Sequence, residues 1–399
     1  MTSQQTLVTG ADVVGPHRLE RRTSVRFSTR VLQIGSGASR AGQRRRNGEA
    51  ALRVDGRGCF LSPGFIDLHT HGAVGVDFVT ANREEFERAM AFYARQGVTA
   101  LLASVYPTAW TTLQRTVERL AGFIRDSVGG GVAVGLHLEG PYLNPDRPGA
   151  LPKRHFRKYR ARDLERLLDA GGGLVRTMTV APESHDGMAL VRHLLLRRVI
   201  PAFGHSAADY ATTRSAVKAG VRYATHLFNA MEGMHHRSPG AALALLESDP
   251  VFVEVIADGH HVHVPMLQLI RREKPAERVI LISDSAPPCG LPEGDYRFAG
   301  AQVRLQCGRV TLPDGTLAGS ALTLPRAVRL YARQVGVPID EAFRAASDHP
   351  ARALGDRRRG RIAVGRRADL VLVDRQFRVR ATWLGGRLLY AARGVVRDC

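Results

Sequence analysis

The segment Pro63-Gly64-Phe65-Ile66-Asp67-Leu68-His69-Thr70-His71-Gly72 ends an apolar run in two histidines separated by one residue. In an extended strand, residues i and i+2 point to the same face. The two imidazoles therefore emerge side by side where the strand stops, and neutral imidazole is a common metal ligand. Taken alone, such a pair could equally be two unrelated surface histidines. Further ligands at the ends of later apolar runs would turn it into a site. Glu139 closes the run Gly135-Leu136-His137-Leu138. A carboxylate there must be solvated, paired or metal-bound, because burying it alone is costly. His205 lies in Gly204-His205-Ser206, His226 in Thr225-His226-Leu227-Phe228-Asn229-Ala230-Met231, and Asp284 just beyond Val279–Ile282. A glutamate with two histidines is the ligand set of a catalytic zinc site that keeps a fourth position for water. An aspartate beside it can take a proton from that water and return it to a leaving group.

The elements that would present these residues follow from the chain's texture. Strands are expected over Val98–Ser104, Val132–Glu139, Leu174–Val180, Val199–Gly204, Tyr223–His226, Val251–Ala257 and Val279–Asp284, in addition to the run ending at His69 and His71. Helical patterns fall at Asn82–Gln96, Thr112–Ser127, Ala207–Ala219, Leu322–Gln334 and Ile339–Ala353, the first with a capping signature of Asn82 followed by Glu85. Eight strands alternating with helices predict an α/β fold, a (β/α)8 TIM-type barrel. Such barrels place their chemistry at the C-terminal strand ends. Those ends read His69 and His71, Ser104, Glu139, Thr179, His205, His226, Asp258 and Asp284. Ser104 and Thr179 are too ordinary there to weigh. His137 falls on the opposite strand face and reads as a packed histidine or one supporting the ligands. His235, His236, His260 and His261 fall in loops, where solvated roles are the default. Residues 1–62 and 358–399 are β-rich, with a polar, arginine-rich loop at Gly35–Gly48. The simplest account makes them a small β-sandwich domain built from both chain ends, with the barrel over 63–357.

Composition excludes several classes. The formal charge is +20 and the pI near 10.9, which invites a nucleic-acid reading. However, only four of the 57 basic residues are lysine, the arginines are spread along the chain, and no stretch interleaves basic and aromatic residues. No nucleic-acid partner is expected; a basic surface would instead draw in anionic metabolites. No apolar run approaches the roughly 20 residues a membrane span needs, and the first residues lack a secretory signature, so a cytoplasmic protein with no membrane partner is expected. Cys59, Cys289, Cys307 and Cys399 form no C-x-x-C pair and read as reduced thiols.

The chain resembles the N-acetylglucosamine-6-phosphate deacetylase family of the amidohydrolase superfamily. The resemblance runs from about Pro63 to Arg387 and is weak over the first 55 residues. It rests on segments 63–72, His-Leu-Glu-Gly-Pro-Tyr-Leu-Asn-Pro (137–145), Gly-His-Ser (204–206), Thr-His-Leu-Phe-Asn-Ala-Met (225–231) and His-His-Arg-Ser-Pro-Gly (235–240). Ile-Ala-Asp-Gly-His-His-Val (256–262), Ser-Asp-Ser (283–285), Gly-Thr-Leu-Ala-Gly-Ser (315–320) and Gly-Arg-Arg-Ala-Asp-Leu-Val (365–371) add to it. It implies that Glu139, His205 and His226 hold an essential divalent metal and that Asp284 is the catalytic acid/base. His69 and His71 match a pair that in many members helps bind a second ion, so one or two ions per subunit are implied. Zinc is the first choice, with iron, manganese and cobalt as alternatives. Gly140, Asn229, Ala230, His261 and Leu322 match substrate contacts. Arg237 matches an arginine that reaches the phosphate of the neighbouring subunit's substrate, which implies a homodimer acting on an amino-sugar phosphate.

One segment departs from the family pattern. Members usually read Gly-Ala-His or Gly-Thr-His shortly after Glu-Gly-Pro, and that histidine helps polarise the amide carbonyl. Here the match is Gly149-Ala150-Leu151. Removing one such donor costs on the order of 100-fold in rate. A second ion could replace it, or His155, or the substrate could be another N-acetylated amino sugar or a related cyclic amide. A non-catalytic scaffold on a decayed barrel is the reading against which the intact ligand set argues.

Overall fold

The computed structural model describes residues 4–36, 38, 52–127 and 131–397. Most of the expected loop Gly35–Gly48, and Cys399, lie outside them. Eight strands form one sheet in sequential order: β1 Phe65–Thr70, β2 Val98–Val105, β3 Ala133–Glu139, β4 Val175–Val180, β5 Ile200–Phe203, β6 Tyr223–Ala224, β7 Phe252–Val255 and β8 Val279–Leu281. Successive strands from β2 to β8 pair in parallel. Every residue of β1, β2 and β7 is buried, as expected where both faces of a parallel sheet are covered.

The sheet closes at one end. Beyond β8 the chain returns to β1, where Thr70 and Ser285 form a parallel bridge. Asp284 N donates to His69 O at 2.9 Å, and His71 N donates to Ser285 O at 2.8 Å. The result is an eight-stranded parallel barrel sealed at its C-terminal rim.

The strands are shorter than their apolar runs. β6 stops at Ala224, and Thr225 and His226 leave it, because His226 adopts a left-handed backbone with φ +28°. The expected capping box is formed: Glu85 N donates to Asn82 Oδ1, and Asn82 N to Glu85 Oε2, both at 2.9 Å. The expected helix Ile339–Ala353 is two helices, Ile339–Ala345 and Asp348–Ala353. Pro350, which has no N–H to donate, sits in the first turn of the second, where that is tolerated. Helices at Ala161–Ala170, Gly187–Leu196, Gly240–Leu246 and Val264–Glu273 were not expected from periodicity. Nor was a four-stranded antiparallel sheet over residues 294–320.

By contact the chain divides into two units. One comprises Met1–Ile66, Met90–Ala100 and Leu324–Cys399, the other Asp67–Ala89 and Leu101–Thr323. In the first, strands from both chain ends join one nine-stranded sheet. Its seam is the antiparallel pairing of Cys59–Pro63 with Leu370–Asp374. Phe27 meets Trp383 edge-on at 5.5 Å in its core. Helix Ile339–Ala345 belongs to this unit because Phe343 packs on Phe60 and Phe65, with ring centroids at 5.4 and 6.0 Å.

Gly64, immediately before β1, has no room for a side chain. A Cβ there would lie 2.2 Å from Thr99 Oγ1 and 2.7 Å from Thr99 Cβ. Gly64→Ala is expected to destabilise the protein by about 1–3 kcal/mol through overpacking. A urea titration should show a lower midpoint at unchanged slope.

Candidate metal centre and active site

All the expected chemistry-bearing residues of the rim fall in the second unit, and six of them converge. Two groups of donor atoms, Glu139 with His205 and His226, and His69 with His71 and Asp284, each lie within 4.8 Å of one another, and all six residues are buried. Glu139 Oε1 is 3.0 Å from His205 Nε2 and 3.1 Å from His226 Nε2. The same carboxylate faces the other group, with Oε1 at 3.5 Å from His69 Nε2 and Oε2 at 3.3 Å from His71 Nε2. The His69 and His71 Nε2 atoms are 3.2 Å apart. Asp284 Oδ1 is 3.3 Å from His71 Nε2 and 3.6 Å from His69 Nε2.

Backbone conformation aims these side chains. His205, His226 and Asp284 have φ of +48°, +28° and +47°. Each lies two or three residues past the end of its strand and turns the chain into the left-handed region, which non-glycine residues visit at a cost and mostly at functional sites. Neighbouring groups hold the turns in place. Glu183 accepts hydrogen bonds from Asn144 Nδ2 at 2.8 Å, Ala207 N at 2.7 Å and Ser206 Oγ at 2.6 Å, which fixes the Gly-His-Ser turn. His205 Nδ1 donates to Arg147 O at 3.0 Å, so loop 147–151 lies over this ligand. Ser320 N donates to Asp284 O at 2.8 Å and Ser320 Oγ to Ser283 O at 2.6 Å, bracing Asp284 from the antiparallel sheet.

The electrostatics are those of buried charges that need each other. Burial works against a protonated imidazole, but the carboxylates of Asp284, Glu254 and Glu139 hold His69 well above the usual histidine range. Against the same burial, Asp284 and Glu139 push His71 up to about 9. Burial would raise Glu139 and Asp284, but the neighbouring imidazoles hold both below the usual carboxylate range. Positive charge between these carboxylates is therefore what the site demands. Two imidazole nitrogens 3.2 Å apart on one carboxylate oxygen, as at His205, His226 and Glu139, form a donor set that one divalent cation would satisfy.

The other expected residues are placed as follows. His137 is buried, with Nδ1 2.6 Å from Thr177 Oγ1 and its ring centroid 4.6 Å from that of His69. Burial holds it well below the usual range, so it is a packed neutral support. Ser104, which carried no weight in the sequence, accepts from Thr70 N at 3.0 Å between the two histidines. Gly140 follows Glu139 with φ +98°. Asn229 Nδ2 donates to His226 O at 3.1 Å, within its own turn, and Ala230 O accepts from Ser206 N at 3.2 Å. His261 Nδ1 is 2.7 Å from Asp258 Oδ2. Leu322 is buried, and its N–H donates to Ser320 Oγ at 2.9 Å. Arg237 is not drawn into the cluster; it lies in the exposed turn 233–238. Leu151 is half-buried in the loop over His205, and His155 lies on the short turn Lys153–His155, where burial and the charge of Arg154 lower its pKa.

Sequence reasoning missed Glu254, Glu183 and Asp67. Glu254, 1% exposed, accepts from Tyr223 Oη at 2.7 Å, His226 N at 3.1 Å and His69 Nδ1 at 3.1 Å. Asp67, which burial pushes up to about 7, accepts from Ser283 N at 3.2 Å across the barrel closure. The available signal for Glu254 was a carboxylate in the middle of the apolar run Val251–Ala257.

Histidines and carboxylates gathered at the C-terminal rim of a parallel barrel define an amidohydrolase-type site, and the Amidohydrolase family model matches residues 60–389. Among similar proteins, the N-acetylglucosamine-6-phosphate deacetylase of Vibrio furnissii is 35% identical over 333 residues, 83% of each chain. The N-acetylgalactosamine-6-phosphate deacetylase of Escherichia coli O157:H7 is 36% identical over 329 residues, 82% of this chain and 87% of that one. A mutant N-acetyl-D-glucosamine-6-phosphate deacetylase of Mycobacterium smegmatis, solved with N-acetyl-D-glucosamine-6-phosphate, superposes with a TM-score of 0.89 at 34% identity, covering 97% of this chain and 100% of that one. The chain belongs to the N-acetylglucosamine-6-phosphate deacetylase family of amidohydrolases.

Removing the Glu183 carboxylate would leave Asn144, Ser206 and Ala207 without their shared acceptor. Glu183→Ala is expected to cost about 1–3 kcal/mol in urea denaturation. A smaller loss should accompany Glu183→Gln, which keeps one acceptor.

Proposed function

We propose that this chain hydrolyses the N-acetyl group of N-acetyl-D-glucosamine 6-phosphate, giving D-glucosamine 6-phosphate and acetate. The observation that carries this reading is the convergence of Glu139, His205 and His226 beside His69, His71 and Asp284, in a chain 35% identical to a deacetylase of that substrate. Glu139, His205 and His226 hold the essential cation. His69 and His71 would help hold a second, next to Glu139, whose carboxylate faces both groups. The donors suit zinc first, with iron, manganese and cobalt also accommodated, at one or two ions per subunit. A divalent cation so held would supply Lewis acidity toward a water and the amide carbonyl, the latter needed all the more because the Leu151 side chain has no hydrogen-bond donor.

The chain's own groups supply the rest. Asp284 Oδ1 accepts a proton from the attacking water and delivers it to the departing amine nitrogen. His261, tied through Nδ1 to Asp258, turns Nε2 to the sugar. Asn229, whose Nδ2 is engaged in its own turn, offers Oδ1. Gly140, Ala230 and Leu322 line the remainder of the sugar site. Arg237 reaches the phosphate of the neighbouring subunit's substrate in a homodimer; its exposed turn and the suitability of a guanidinium for phosphate support this. The net charge of +20 favours anionic substrates. The compartment is the cytoplasm, in keeping with the free thiols of Cys59, Cys289 and Cys307. The strands of residues 1–62 and 358–399 make a small β-sandwich domain distinct from the barrel of 63–357, a reading supported by the pairing of Cys59–Pro63 with Leu370–Asp374.

A second reading has its own observation. The relative at 36% identity deacetylates the galacto epimer. Acetate release from the two 6-phosphates, compared as kcat/KM, decides between them. The gluco substrate is expected to be preferred, and absence of acetate release from both would reject the function.

Asp284→Asn is expected to retain metal, as measured by mass spectrometry of the protein, while kcat falls on the order of 100-fold to 10,000-fold. Near-normal turnover would move the proton transfer elsewhere.

Arg237→Ala is expected to raise KM for the phosphorylated sugar by about 10-fold to 100-fold, the scale of a lost charge-assisted hydrogen bond. KM for the unphosphorylated sugar should hardly change; equal losses on both would remove Arg237 from the phosphate.

A further inference from the structure

We infer that Glu254 is a positioning residue that orders one ligand of each metal group at once, His69 through its ring and His226 through its backbone. The inference rests on the proposal that these histidines hold a cation. Glu254 lies inside β7, between Val253 and Val255, with every residue of the strand buried. An apolar residue would serve the barrel's packing there, and a buried carboxylate is costly unless its oxygens are satisfied. Both oxygens are satisfied, and by groups belonging to the site.

A carboxylate only accepts hydrogen bonds. With Glu254 Oε2 3.1 Å from His69 Nδ1, that nitrogen carries the hydrogen. Nε2 is therefore turned toward Glu139 and Asp284, which lie 3.5 and 3.6 Å away. The ring is thus fixed in both tautomer and orientation. The same Oε2 accepts from His226 N at 3.1 Å, and Glu254 O accepts from Leu227 N at 2.9 Å. These two bonds clamp the left-handed backbone at His226 and so set the direction in which its imidazole leaves the strand. Oε1 accepts from Tyr223 Oη at 2.7 Å, which tethers the other end of the carboxylate. One oxygen therefore serves both groups, and the geometry of one group cannot relax without disturbing the other. Partners of this kind behind a metal-binding histidine typically alter affinity by about 10-fold to 100-fold.

The test uses the full-length protein, stripped of metal and titrated with Co2+. Affinity is read by calorimetry, and the ligand field by visible absorption. Glu254→Gln keeps the volume and one acceptor but not the charge. It is expected to weaken both Co2+ equivalents by about 10-fold or more and to shift the absorption band. Glu254→Met, with no acceptor, should weaken them further, and Tyr223→Phe should do less than either. Should Glu254→Met fail to fold, Glu254→Gln decides alone. Wild-type affinity and spectrum in Glu254→Gln, even with a lowered unfolding midpoint, would reduce the residue to a structural role and overturn the inference. A loss confined to one equivalent would overturn the shared role. A wild-type chain that takes up no Co2+ would overturn the metal reading itself, a failure distinguishable from the others.

Discussion

His69, His71, Glu139, His205, His226, Glu254 and Asp284 are buried together, packed among the apolar strands of the barrel. Isolated charges in such a place are prohibitively costly; paired, they roughly break even. Each therefore persists only because the others are present. The arrangement places acidic and basic groups in alternation, with Glu139 between four imidazoles and Asp284 against two of them. The rest of the fold can be read as what this mutual dependence requires: strands that end at a common rim, backbone turns that aim side chains inward, and polar neighbours such as Glu254 and Glu183 that tie down the ligands and their turns.

The backbone carries much of that requirement. Three of the site residues sit in left-handed conformations, and each is held there by bonds to another part of the second unit: Asp284 N to His69 O, His226 N to Glu254, and the Gly-His-Ser turn through Glu183. Conformational strain at a strand end is sustained where surrounding contacts over-determine it. Ser320, Ser206 and Ser283 appear at these junctions because a hydroxyl is small and can both donate and accept.

The residues at the rim were legible in the sequence because each follows an apolar run and has a side chain with little reason to be there otherwise. His69, His71, Glu139, His205, His226 and Asp284 are of this kind. Glu254 was not, because it sits within a strand and its partner His69 is 185 residues away. Glu183 follows Ala-Pro and reads as an ordinary loop acid. The parallel strands were found because burial on both faces writes continuous apolar runs. The amphipathic helix Ala161–Ala170, with only Leu164, Leu167 and Leu168 buried, gave a weaker signal because a basic stretch, Arg157 to Arg160, precedes it and three glycines follow it. The antiparallel strand Ala301–Gln306 does alternate, exposed Gln302 and Arg304 against buried Val303 and Leu305, but with only two buried side chains its period is short. Arg237 is visible as a basic residue in an exposed turn, and a single chain contains nothing against which to place it.

The closure of the barrel has a consequence for how the molecule is made. The bonds that seal β1 to the segment beyond β8 join His69 and His71 to Asp284 and Ser285. More than half the polypeptide is synthesised between the two sides of that seam. At about 5–20 residues per second, translation leaves the early histidines waiting for at least ten seconds. During that interval the nascent chain holds β1 with its closing partner absent and its buried carboxylate neighbours only partly assembled. The proton-carrying Asp284 and the seam that closes the barrel thus arrive in the same short stretch of chain, and a ribosome that stalls before residue 284 yields neither.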